Sequence, residues 1–189
     1  MSAALPRVTE ILRAVGLSPD LSGIRPDVLE AGRLRGTAVH EALEAECYGY
    51  LDEASLTEDV LTRVTGARRF CKESGYKQAA AEVPVQHAAW RYRGHLDSVG
   101  WLGAKRMIVD WKTGESVALP SAGYQLAAYR LAWNSEHPTE PVEMLGVVLL
   151  LADGSYRFHE VSPTAAEPIW LAAVVVYHAQ GHPAKETSR

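Results

Sequence analysis

The chain has 189 residues, 47% of them hydrophobic and 22% charged. That balance excludes a disordered or fibrous chain and suffices for one domain with a real core. A formal net charge of −4 and a pI near 6.0 exclude a general electrostatic pull toward nucleic acid, so any such binding must use a local basic patch or a bound cation.

Cys47 and Cys71 are too few for a four-thiolate zinc or iron–sulfur site and fit a reducing cytoplasm, the expected location. No secretory signal pattern stands at the N-terminus, and no apolar run is long enough to cross a bilayer.

The first predicted helix covers Val8 to Val15, with Thr9 as its cap, Ile11, Leu12 and Val15 as its stripe and Gly16 as its stop. Leu17 to Arg25 reads as a loop. Pro26 suits a first helical position, so Pro26 to Arg35 is a second helix, continuing as Gly36 to Leu43. Arg33 and Arg35 flank this glycine region and are candidate phosphate contacts. Gly36 and His40 lie four apart on one helix face, with Glu44 on the same face. Gly36 leaves room there for a neighbouring backbone or a ligand. Asp52 to Asp59 reads as an acidic linker. Leu56 to Ser74 is a helix with Val60, Leu61, Val64, Ala67 and Phe70 inward. Arg63, Arg68, Arg69 and Lys72 form its basic side, either solvated or contacting DNA.

From Gln78 the period changes to two. Val83 and Val85 share one strand face, Glu82 and Gln86 the other. A turn near Ala88-Ala89 leads to a second strand, Trp90 to Val99, on which Arg91, Arg93, His95 and Asp97 share parity. Gly94 inside it signals a bulge or the close approach of another segment. Gly100 to Gly103 reads as a turn and Lys105 to Lys112 as the third strand.

That third strand carries the densest chemistry. Asp110 and Lys112 point the same way, while Met107 and Val109 point into a core. The hairpin geometry brings Asp97 beside Asp110. Two adjacent carboxylates repel unless a cation lies between them. Further on, Leu119 to Trp133 is a helix with Gln125 and Tyr129 one turn apart. Val142 to Leu151 is a strand buried on both faces. Asp153-Gly154 is a hairpin turn returning as Tyr156 to Val161. A last helix runs from Thr164 to Gln180, its capping box formed by Thr164 and Glu167 and its first turn distorted by Pro168. Gly181 to Arg189 reads as a frayed tail.

The ordered set Gly36…His40, Glu82, Gly94-His95-Leu96-Asp97, Asp110-Trp111-Lys112 and Gln125…Tyr129 resembles the PD-(D/E)xK nuclease superfamily, and more closely its RecB-type branch. The match covers roughly residues 30 to 135. The resemblance implies an α/β fold with a restriction-endonuclease-like core, a mixed central β-sheet flanked by helices. It implies one nuclease domain over residues 1–189, with N-terminal helices in 1–35 and a tail in 181–189. It further implies DNA as substrate and hydrolysis of phosphodiester bonds with Mg2+, or Mn2+ given a histidine ligand.

Within that reading His40, Asp97, Asp110 and the main-chain carbonyl of Trp111 are the implied metal ligands. Asp97, Asp110, Lys112 and Glu82 are the catalytic set. Lys112 orients or deprotonates the attacking water, or stabilises the charged transition state. Glu82 holds a second metal or orients the first ligands. Gln125, Tyr129, Arg33, Arg35 and Arg93 are candidate substrate contacts. Some RecB-type relatives carry an iron–sulfur cluster on four cysteines, which two cysteines cannot supply, and no P-loop signature accompanies the nuclease motifs. The chain is therefore similar to the small stand-alone, phage-like exonucleases of recombination or repair, which would work in the host cytoplasm and are compatible with a homo-oligomer and a recombination partner protein. The alternatives are a catalytically silent nucleic-acid-binding module with the same fold, a structure-specific endonuclease, and an unrelated α/β protein with scattered surface acids.

Overall fold

The computed structural model describes residues 5–181. Five strands form one sheet in the order β1-β2-β3-β4-β5: β1 Tyr76–His87, β2 Tyr92–Leu102, β3 Lys105–Lys112, β4 Met144–Leu150 and β5 Tyr156–Val161. Neighbours are antiparallel except β3 and β4, which are parallel. A parallel pair needs a crossover, and the helix α4, Leu119–Glu136, supplies it. The remaining helices are α1 Val8–Ala14, α2 Pro26–Tyr48, α3 Glu58–Ser74 and α5 Pro163–Ala179. The architecture is thus an α/β fold with a mixed sheet flanked by five helices.

Alternation along the central strands explains why both faces are covered. Met107, Val109, Trp111, Val148 and Leu150 pack on α2 and α3 through Val39, Leu43, Val64 and Phe70. Ile108, Leu145, Val147, Leu96 and Val99 pack on α1, α4 and α5 through Ile11, Leu126 and Trp170. Leu145 to Leu150 are all buried, as a strand sandwiched between two helical layers requires.

Several local expectations are corrected. Helix α2 continues through Gly36 as expected but runs on past Leu43 to Tyr48, 23 residues in all. Pro26 stands in its first turn, and its C-cap Gly49 adopts a φ of 77°, the left-handed state a glycine adopts without strain. Thr9 is not the cap of α1. Arg7 is, and its backbone N–H donates to the Glu10 carboxylate. Gly100 to Gly103 is not a turn, because β2 runs on to Leu102 and the turn is Gly103-Ala104, with Gly103 at φ 61°. Gly100 instead sits where an added Cβ would strike the Lys77 carbonyl, beside the irregularity between Gln78 and Ala80. Within the acidic linker, Glu53–Ser55 forms a single 3₁₀ turn.

At the last helix Ser162 rather than Thr164 is the cap, and Glu167 pairs with Arg130 instead of closing a capping box. Pro168 lies inside a helix that continues through it. On α3 the expected basic side is neutralised by neighbours. Arg63 is buried and pairs with Asp59, Arg68 with Glu46 and Glu53, and Arg69 with Glu73. All but the first residue of the expected tail, 182–189, lies outside the described residues.

Candidate active site

The site forms where the β2–β3 ladder ends. The ladder stops at Ser98↔Val109, and the next residue on each strand is an acid, Asp97 and Asp110. Asp97 takes the place of a strand partner, since its Oδ2 accepts the Trp111 N–H at 2.9 Å. Asp110 is almost wholly buried, its side chain only 1% exposed. Lys112 Nζ lies 2.8 Å from both of its carboxylate oxygens and donates to Oδ1. The two therefore share a strand face, as the period of two requires.

Helix α2 brings His40 to this strand end. Its Nε2 lies 3.0 Å from the Trp111 carbonyl, and its Nδ1 lies 3.0 Å from Glu82 Oε1 and 3.8 Å from Asp97 Oδ1. Glu82 reaches the same point through an unusual backbone. Its φ is 48°, rare for a residue with a side chain, and the β1–β2 ladder passes from Ala81↔Ser98 to Val83↔Leu96 without it. Left-handed backbone inside a strand is the kind of local strain that clusters at functional sites.

The electrostatics follow from this crowding. Burial opposes charge on His40, but the Glu82 hydrogen bond, the Asp97 and Glu82 carboxylates and the Trp111 carbonyl outweigh it and raise its pKa from 6.5 to about 9. Both ring nitrogens face acceptors, so the imidazolium satisfies both and stands in as the local cation. Burial, then repulsion by Asp110, pushes the Asp97 carboxyl above its ordinary range. Lys112 is raised despite burial because Asp110 and Asp97 hold its charge.

Ligand atoms of His40, Glu82 and Asp97 lie within 4.8 Å of one another. Asp110 Oδ2 is buried without an aligned hydrogen-bond donor. A buried carboxylate whose only cationic partner among the described residues is Lys112, next to a histidine and two further carboxylates, fits a divalent cation. His40, Glu82, Asp97, Asp110 and the Trp111 carbonyl are the residues that would hold it.

The layer formed by α4 supplies Gln125, whose Nε2 donates to Tyr129 Oη at 2.8 Å. Tyr129 lies against Gly94. A Cβ added there would fall inside contact with Tyr129 Cε1, so the close approach expected at Gly94 is made by this ring. Burial, then the Asp97 charge, raises the Tyr129 hydroxyl well above its ordinary pKa, keeping it protonated. At Gly36 the neighbour is Thr113, whose Oγ1 would sit 3.7 Å from an added Cβ, an ordinary contact.

The arginines lie apart from this cluster. Arg33 is exposed and paired with Glu30. Arg35 lines a groove between α2 and the 50–60 segment, with its Nε buried. Arg93 donates from Nε to the Leu5 carbonyl and from its backbone N–H to Pro6. The N-terminal segment it holds brings Arg7 and Thr9 to a pocket shared with Gly94 and Tyr129. Nothing in the sequence signalled those two positions, because they reach the site only through this tertiary contact.

No family model matches the chain, and no curated protein matches its sequence. Among solved structures it is similar to a protein from Eubacterium rectale described as a candidate exonuclease, with 13% identity and a TM-score of 0.54 over 90% of this chain and 71% of that one. A phage-related exonuclease from Haemophilus somnus aligns over 95% of both chains with 11% identity and a TM-score of 0.36. The first likeness concerns the fold, which the two proteins share.

Proposed function

We propose that this chain is a divalent-metal-dependent nuclease that hydrolyses phosphodiester bonds in DNA as a single domain, acting at ends in recombination or repair. The observation that carries the reading is the convergence of His40, Glu82 and Asp97 beside the buried Asp110, with Lys112 on Asp110. Mg2+, or Mn2+ given the histidine, is the fitting ion. Bound there, such an ion lowers the pKa of a water and offsets charge developing on the phosphate.

The chain's own residues divide the remaining work. Lys112 presents an ammonium beside the reacting phosphate's position, where it orients the water or stabilises the transition state. Asp97, fixed by the Trp111 N–H, and Asp110, fixed by burial, hold their carboxylates in place with little reorganisation. Glu82 orients His40. Tyr129, held by the Gln125 amide, lies against Gly94 and positions the strand. The exonuclease name of the Eubacterium rectale structure, whose fold the chain shares, accords with this assignment.

The test separates metal from chemistry. Wild type and Lys112→Ala are compared for the thermal shift given by Mn2+ and for cleavage of labelled DNA. A shift in both with cleavage only in wild type supports the reading. Equal cleavage by the two removes Lys112 from the mechanism. A metal shift with no cleavage by either favours a silent DNA-binding module.

A further inference from the structure

Beside the acidic cluster lies a pocket of opposite charge. It is a cavity of about 220 Å³ lined by Arg7, Val8, Thr9, Arg93, Gly94, His95 and Tyr129. No carboxylate is among its lining residues. The nearest acid in sequence, Glu10, has its carboxylate on the Arg7 backbone N–H. Arg93 uses Nε on the Leu5 carbonyl, and its terminal nitrogens have no carboxylate partner among the described residues. The Arg7 guanidinium has none either. Two guanidinium groups gathered without a counter-ion, in a chain whose net charge is negative, call for an anion.

The pocket is built rather than incidental. Arg93 N–H bonds the Pro6 carbonyl, and Arg7 bridges Arg93 in parallel, so both arginines are fixed to one sheet edge. Its volume lies below the roughly 300–1,000 Å³ of small-molecule pockets, so it suits a compact anion with planar donors around it. Its place is equally informative. Gly94 stands three residues before Asp97 on β2, about 10 Å along a strand. Tyr129 is common to the pocket wall and to the catalytic surroundings. A nucleic-acid strand rises about 3.4 Å per phosphate in a duplex, so one strand can meet both places within a few nucleotides.

We infer that this pocket binds a second phosphate of the strand being cut, through Arg7, Arg93 and His95, and so sets where the strand lies relative to Asp97 and Asp110. The inference rests on the nuclease reading for the source of the phosphate, but not for its chemistry. That source is either a terminal phosphate or an internal one.

The experiment has two parts, both run in EDTA so that nothing is cut. Inorganic phosphate is titrated into wild type, Arg7→Gln and His95→Gln, with the His95 ring resonances followed by NMR and His95→Gln followed through backbone signals of residues 93–95. Among the described residues the Arg7 side chain makes no ion pair with a carboxylate, and the His95 side chain is exposed, so both variants keep the fold. Phosphate should shift the wild-type signals saturably, and each variant should bind roughly tenfold more weakly. Single strands with phosphate or hydroxyl ends are then compared. With a terminal source, wild type prefers the phosphorylated end and Arg7→Gln loses the preference. With an internal source, both strands bind wild type alike, both weaken in Arg7→Gln, and the salt slope falls by about 0.7. Unmoved wild-type signals, or variants that bind phosphate and strands as wild type does, overturn the inference. Phosphate binding in a wild type that cuts nothing with metal overturns the nuclease reading and keeps the pocket.

Discussion

His40 stands at the meeting point of three acceptors, and its protonation links metal, pH and stability. Its folded pKa is raised, so its contribution to stability is fully present below 6.5 and is lost as pH rises through about 9. Asp97 is also raised, so its contribution is present below 3.8 and is lost as pH climbs through the raised value. Both signs agree: the metal-free protein should lose thermal stability from acid to alkaline pH. A metal needs the same lone pairs as the protons, so its affinity should rise over that range. Thermal shifts with and without Mn2+ at pH 6 and pH 9 check both. At 100 times its dissociation constant the ion adds about 2.7 kcal/mol, roughly 5–11 °C for a chain of this size. Asp110→Asn should abolish most of that shift, and a full shift in the variant would place the ion elsewhere.

The site's elements differ in how far the sequence reveals them. The alternation of Asp110 and Lys112, and the hairpin that sets Asp97 beside Asp110, follow from a period of two and were legible. So was the pairing of Gln125 with Tyr129 by helical spacing. The left-handed backbone of Glu82 was not, because it depends on an irregular ladder that no residue type announces. The continuity of helix α2 through Gly36 was legible, but its extension to Tyr48 was not, since packing on α3 and β1 decides how far it runs. Of the neutralised α3 arginines only Arg68 was hidden by distance, through Glu46 and Glu53; Arg63 and Arg69 pair one helical turn away with Asp59 and Glu73, a spacing the sequence does display.

Two glycines at this scale should behave oppositely. Gly94→Ala must push Tyr129 away, costing about 1–3 kcal/mol, or roughly 2–12 °C in Tm, and displacing Gln125. Gly36→Ala meets only Thr113 and should be neutral or stabilise by about 0.5–1 kcal/mol through helix propensity. Urea unfolding of both variants checks the pair, and a stable Gly94→Ala would mean that Tyr129 is not held against β2.

Across the whole molecule, three layers share the work. The outer layer of α2 and α3 delivers His40, the sheet delivers Glu82, Asp97, Asp110 and Lys112, and the layer of α1, α4 and α5 delivers Gln125, Tyr129 and the Arg7 pocket. No helix among the described residues is long and apolar enough to cross a membrane. Negative net charge then makes sense for a DNA enzyme only if affinity comes from a bound cation and one basic pocket rather than from the surface at large. The measurement that tests this most directly is cleavage of end-labelled linear DNA and closed circular DNA with Mg2+, Mn2+ or EDTA, by wild type and Asp110→Asn. The prediction is shortening of linear DNA from its ends, intact circles, and a loss of at least about 100-fold in EDTA and in the variant. Nicked circles would contradict end-directed action. Cleavage that persists in EDTA or in Asp110→Asn would contradict a metal-dependent site at Asp110.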